Sequence, residues 1–125
     1  MILNPVLYEC AAQDGIVTVC SSSREGKGHI ANTWNKYLII TEEEKKCIPC
    51  FGFHETEKNV SYDPNGELMI GSHNVPGKMG MGTGFLLKGK AEFQNHGALF
   101  QRMHDKCSFA NRVLVFTPGT CVQTI

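Results

Sequence analysis

Several groups of residues in this chain have types and spacings that could do chemistry. Cys47-Ile48-Pro49-Cys50 has the spacing of a redox pair or of half a metal site. On an extended strand its two thiols would fall on opposite faces, no second Cys-x-x-Cys follows, and His54 is the one extra ligand nearby. Inert buried thiols and no metal are therefore expected. Gly77 to Gly84 carries Gly80, Gly82 and Gly84, which resemble part of a phosphate fingerprint. That fingerprint works where glycines leave a strand and open a helix, whereas these open a strand. The loop is then either a flexible connection or a place where backbone approaches a ligand.

Asn32-Thr33-Trp34-Asn35 sets two amides and a hydroxyl around the only Trp. Buried polar atoms need partners. A planar heteroaromatic ligand could supply them, bonding to Asn32 and Thr33 while Trp34 and Tyr37 offer aromatic surface. The alternative is a strand crossing from core to surface with Trp34 as core filler. The helix start at Gly52 to Glu57 could bind a phosphate through free N–H groups and the Thr56 hydroxyl, or could be an ordinary capped helix. The five His are scattered, no Cys has a nucleophile signature, and no Ser-His-Asp arrangement can be read, so no catalytic residue is assigned.

The elements that must position these groups fit one domain spanning residues 1–125. Hydrophobic residues make up 42% and charged residues 19%, which excludes a disordered chain. Twelve cationic and twelve acidic side chains leave no broad positive field, so neither nucleic acid nor a membrane surface is an expected partner. No apolar stretch approaches the ~20 residues of a membrane span. The N-terminus shows no leader, and the six Cys, about 5% of the chain, fall below disulfide-scaffold density. A cytoplasmic protein with reduced thiols is expected.

Helix-compatible residues run from Pro5 to Gln13, and Asp14-Gly15 releases a strand over Ile16–Cys20. Alternation predicts a strand from His29 to Ile40, another over Cys47–Phe51 at an edge or bulge because of Pro49, and others at Glu67–Gly71, Phe85–Phe93 and Arg112–Thr117. Thr56 and Asn95 are expected to cap short helices. The fold class is mainly β with a few short helices, as a small antiparallel barrel.

"ANTWNKYL" (Ala31 to Leu38), "GFHETEKNV" (Gly52 to Val60), "GSHNVPGKMGMGTGFLLKGKAEF" (Gly71 to Phe93) and the terminal "QTI" occur in this order over nearly the whole chain. Together they resemble the FMN-binding split-barrel family related to pyridoxamine phosphate oxidase, within it the small FMN-binding proteins of sulfate-reducing bacteria. The resemblance implies a six-stranded antiparallel split β-barrel of Greek-key type, a homodimer with noncovalent FMN near the interface, and redox chemistry carried by the flavin. It places Asn32, Thr33 and Trp34 beside the isoalloxazine, with Tyr37 a nearby aromatic. It places Gly52, His54 and Thr56 at the phosphate, Gly71 and Ser72 as a second wall, and Gly82 and Thr83 in the glycine loop. Two positions depart from the family. Glu55 stands where relatives carry a lysine, which shifts phosphate binding toward Lys58 or backbone N–H groups, and Phe109 replaces a Trp. The implied function is electron transfer with a redox partner protein. The alternatives are a flavin reductase or oxidase using NAD(P)H or an organic donor, and a flavin-free ligand-sensing or dimerisation module.

Overall fold

The computed structural model describes residues 4–125; the first three residues, part of the stretch on which the expectation about a leader rests, lie outside them. Helix α1 (Pro5–Ala11) starts where the Asn4 side chain accepts a hydrogen bond from the Val6 N–H at 2.9 Å and Pro5 presets the first helical φ. Strands β1 (Ile16–Ser22) and β2 (Gly28–Trp34) form a hairpin. A 3-10 turn at Asn35–Tyr37 leads to the two-residue β3 (Ile39–Ile40) and then β4 (Lys46–Cys50). Helix α2 (His54–Tyr62), the long hairpin of β5 (Asn65–Pro76) and β6 (Met81–Gln94), helix α3 (Ala98–Lys106) and β7 (Arg112–Gln123) complete the chain.

Among the described residues, seven strands lie in one antiparallel sheet of order β2-β1-β5-β6-β7-β4-β3, which does not close. Seven strands replace the expected six because the predicted strand His29–Ile40 is broken. Asn35 turns inward, ends β2 at Trp34, and leaves Ile39–Ile40 as a separate strand. The sheet curls around one core in which Val17 and Val19 of β1, Ile48 and Cys50 of β4 and Phe85 and Leu87 of β6 meet Leu7 and Cys10 of α1 and Val60 of α2. A second apolar cluster lies on the other side of β4 and β7, where Met103 of α3 and Cys107 at its C-cap cover Cys47, Val113 and Val115.

Other boundaries differ for local reasons. The glycine-rich stretch is mostly strand; only Gly77 to Gly80 turns, closed by the Gly77 N–H donating to the Gly80 carbonyl at 2.7 Å. Gly80 (φ 144°) and Gly82 (φ 110°) adopt backbone conformations that side chains resist. Asn95 does not cap α3. Gly97 occupies that position at φ 96°, and the Asn95 side chain bonds to its neighbour His96 instead. Thr56 is likewise no cap, since it lies inside α2, whose N-cap is Phe53 at φ 63°. Pro49 sits in β4 opposite Val113; β3 pairs only with Lys46 and Cys47, so the edge of β4 beyond Cys47 faces no strand and needs no donor there.

Candidate functional site

The ends of β1, β2, β5 and β6 enclose a hollow of about 610 Å³ lined by Asp14, Ile16, Trp34, Gly71, Ser72, His73, Met81, Gly82, Thr83 and Ile125. An adjoining hollow of about 310 Å³, lined by Asp14, Gly15, Trp34, Lys36 and Tyr37, shares Trp34 with it. Trp34, Tyr37, Gly71, Ser72, Gly82 and Thr83, singled out on sequence grounds, are thus brought together. Trp34 is 53% exposed, which rules out the core-filler reading.

Asn35 makes this possible. Its buried amide nitrogen donates toward the carbonyls of Cys10 (3.0 Å), Gln13 (3.1 Å) and Gly71 (3.1 Å), tying α1, the turn before β1, and β5 to the end of β2. Gly15 completes the closure, because a Cβ there would run into the Gly71 carbonyl. The wall hydroxyls are already engaged: Ser72 donates to the Asp14 carbonyl at 2.7 Å, and Thr83 donates to the Ile125 carbonyl at 2.9 Å while accepting from Gln123. This region therefore offers shape and aromatic surface more than free hydrogen bonds.

Asn32 and Thr33 lie on β2, whose outer edge pairs with no strand. Asn32 is exposed, and its carbonyl oxygen accepts from the Thr18 hydroxyl at 2.8 Å, leaving its NH2 outward. Thr33 is half-buried on the opposite face. Phe109, beyond α3, meets the Tyr37 ring edge to face at 5.4 Å, so these two ring positions are adjacent.

Gly52, His54, Thr56 and Lys58 form a second group around the start of α2, and they line neither hollow. The first helical hydrogen bond runs from the Glu57 N–H to the Phe53 carbonyl at 2.9 Å, so the N–H groups of His54, Glu55 and Thr56 precede it. Thr56 is fully buried and its hydroxyl has no partner. His54 and Lys58 are exposed, and Gly52 is half-buried. Two carboxylates, Glu55 and Glu57, stand in this first turn.

The thiols of the Cys-x-x-Cys stretch point into different clusters, Cys50 into the main core and Cys47 beneath α3. Burial pushes Cys47 up to about 11 and Cys50 up to about 12, so both are protonated at neutral pH. A separate buried group lies where Lys46 donates to the Glu44 carbonyl at 2.8 Å and the Glu44 carboxylate accepts from the Tyr8 hydroxyl at 3.2 Å. Burial lowers the Lys46 pKa.

Sequence reasoning missed Asp14, His73 and Met81 as lining residues and Asn35 as the tie beneath them. Asp14 carried only a turn signal, and His73 and Met81 reach the hollow through the pairing of β5 with β6. Arg112, which lies outside the recognised stretches, contacts the turn before α2.

No protein-family profile matches this chain. Its fold resembles several solved structures. HupZ of Group A Streptococcus has a TM-score of 0.81 at 11% identity over 98% of this chain and 94% of that one. A pyridoxamine 5'-phosphate oxidase-like protein of Lactobacillus delbrueckii gives 0.76 at 11% over 97% and 93%. An FMN-binding protein of Syntrophomonas wolfei gives 0.70 at 16% over 87% and 76%. In sequence, the chain is 33% identical over 124 residues, 99% of its length and all of the relative's, to the FMN-binding protein of Nitratidesulfovibrio vulgaris. An identity of that size sustained from end to end, on a fold shared with such proteins, places this chain in the family of that FMN-binding protein.

Proposed function

We propose that this chain is an FMN-binding redox protein that works as a homodimer and transfers electrons. The observation that carries the reading is the gathering of Trp34, Tyr37, Gly71 and Gly82 around adjoining hollows in a member of this family. The donor chemistry fits FMN at both ends. An exposed Trp beside the Tyr37–Phe109 pair offers aromatic surface to a flat ring, and the start of α2 offers N–H groups and an unpartnered buried hydroxyl to a phosphate. When bound, the flavin supplies reversible electron transfer. The chain's own part is to orient the ring against Trp34, to bond its polar edge through Asn32 and Thr33, and to hold the phosphate near Gly52, His54, Thr56 and Lys58. Gly71, Ser72, Gly82 and Thr83 limit water on the far side.

The outer face of the sheet supports the dimer. Direct register aligns Asn32, Thr18, Met69, Leu86 and Val122 in one row and sets Ile16 beside Trp34. Ile16, Ile30, Trp34 and Val122 are exposed together on this face. A second copy is the occupant the family reading requires, and Ile125, at the rim of the hollow, would join that interface.

Titration with FMN while following flavin fluorescence tests the binding: saturable quenching, tighter than for riboflavin, is expected, and its absence rejects the reading. Sedimentation should show a dimer that Val122→Glu converts to monomer. Bleaching of the bound flavin by NAD(P)H would identify a reductase, while reduction only by a partner protein would identify a carrier.

A further inference from the structure

We infer that Arg112, on β7, is the positioning residue that makes the acidic start of α2 compatible with a phosphate. This inference rests on the FMN reading. The first turn of α2 combines open N–H groups and the partnerless Thr56 hydroxyl with two carboxylates, Glu55 and Glu57. A phosphate arriving there would meet both negative charges. Arg112 supplies the cation from outside the turn. Its Nε donates to Glu57 Oε1 at 2.7 Å, one Nη donates to the Phe51 carbonyl at 3.3 Å, and the other donates to the Gly52 carbonyl. The guanidinium side chain is only 13% exposed, and it stacks over the Phe93 ring at 5.6 Å, so its fork is held by packing.

Two effects follow from this geometry. Binding the carbonyls of Phe51 and Gly52 fixes the peptide units that lead into the left-handed Phe53, and thereby the direction of the first N–H groups of α2. Pairing with Glu57 cancels one of the two charges that would repel a phosphate. Lysine could do only the second, because one ammonium cannot hold two successive carbonyls and a carboxylate in one plane.

Separate titrations of the full-length protein with FMN and riboflavin test the inference, because only FMN carries the phosphate. Arg112→Ala should weaken FMN binding about tenfold while riboflavin binding stays within about twofold. Equal loss of both flavins, or no loss of either, overturns the assignment. Glu57→Gln keeps the guanidinium and its carbonyl contacts but removes a carboxylate, so it should tighten FMN about threefold and leave riboflavin unchanged. This second variant decides the matter if Arg112→Ala does not fold; an unchanged or lower preference for FMN then overturns the role. A wild-type protein that quenches neither flavin rejects the FMN reading itself, whereas a wild type that prefers FMN, with both variants keeping the same ratio, rejects Arg112 alone.

Discussion

The hollow beside Trp34 and the start of α2 are built on opposite plans. Around Trp34 most polar groups are engaged within the chain: the Asn35 amide nitrogen gathers three carbonyls, Ser72 bonds to the Asp14 carbonyl, and Thr83 bonds to Ile125, while the buried Asn35 Oδ1 has no partner. At the start of α2 the N–H groups precede the first helical bond, the Thr56 hydroxyl has no partner, and one of the two carboxylates, Glu57, is paired with Arg112 from another element. A region whose hydrogen bonds are mostly made within the chain can present a fixed shape to a ring; one whose donors are open can respond to charge. On the proposed reading, ring recognition falls to the first region and phosphate recognition to the second.

Asn35→Ala gives the largest expected effect. It strands three carbonyls that converge beneath the hollow, so stability should fall by about 3 kcal/mol, measured by urea unfolding, with FMN and riboflavin binding weakened alike. A selective loss of FMN would break the division between ring and phosphate regions.

The α2 turn is mounted on β4, all of whose residues are buried, and this makes its anchorage sensitive to base. The folded pKa values of Cys47 and Cys50, about 11 and about 12, lie above the ordinary 9.0. Below pH 9 both thiols are protonated in both states and stability is unaffected. Above it the unfolded chain loses these protons first, so stability falls as pH rises toward about 11 and 12. Lys46 acts in the opposite sense, because its lowered folded pKa makes stability rise with pH up to 10.5. Between pH 8 and pH 10 each of the two thiols should cost about 1.3 kcal/mol of stability by urea unfolding, so Cys50→Ala should flatten the fall by about that amount. An equally steep fall in Cys50→Ala and in the wild type would contradict the burial of this thiol.

A smaller effect tests the open hydroxyl. Thr56→Val keeps the shape and removes an oxygen with no internal partner, so stability should stay within about 0.5 kcal/mol while FMN affinity falls about fivefold and riboflavin affinity does not. A drop of several kcal/mol would show that the hydroxyl has a structural partner after all. The smallest change in stability belongs to Trp34→Phe at an exposed position, within about 0.5 kcal/mol. Its readout is optical: emission of bound flavin should rise, and unchanged emission and lifetime would place the ring away from Trp34.

Much of this molecule was legible before any coordinates. Pro5 and Asp14-Gly15 mark boundaries by local chemistry, and alternating apolar residues mark the buried faces of β1 and β6, because restricted or free φ and two-residue periodicity belong to the chain itself. The ordered stretches around Trp34, Gly52 and Gly82 carried the family. The break after Trp34 was not legible, since the alternation from His29 to Ile40 continues through Asn35. What turns Asn35 inward is a set of carbonyls from Cys10, Gln13 and Gly71, which only the folded sheet assembles. Arg112 shows the same limit from the other direction. Nothing near it in sequence marks it as a partner of Glu57, 55 residues away, and it gains that role because β7 lies beside β4 and ends its pairing where the turn into α2 begins. Local residue types determined the elements and the kinds of ligand they could meet. Long-range pairing decided which polar groups are already satisfied and which remain open, because a hydrogen bond between distant segments exists only when the whole sheet brings its donor and acceptor together.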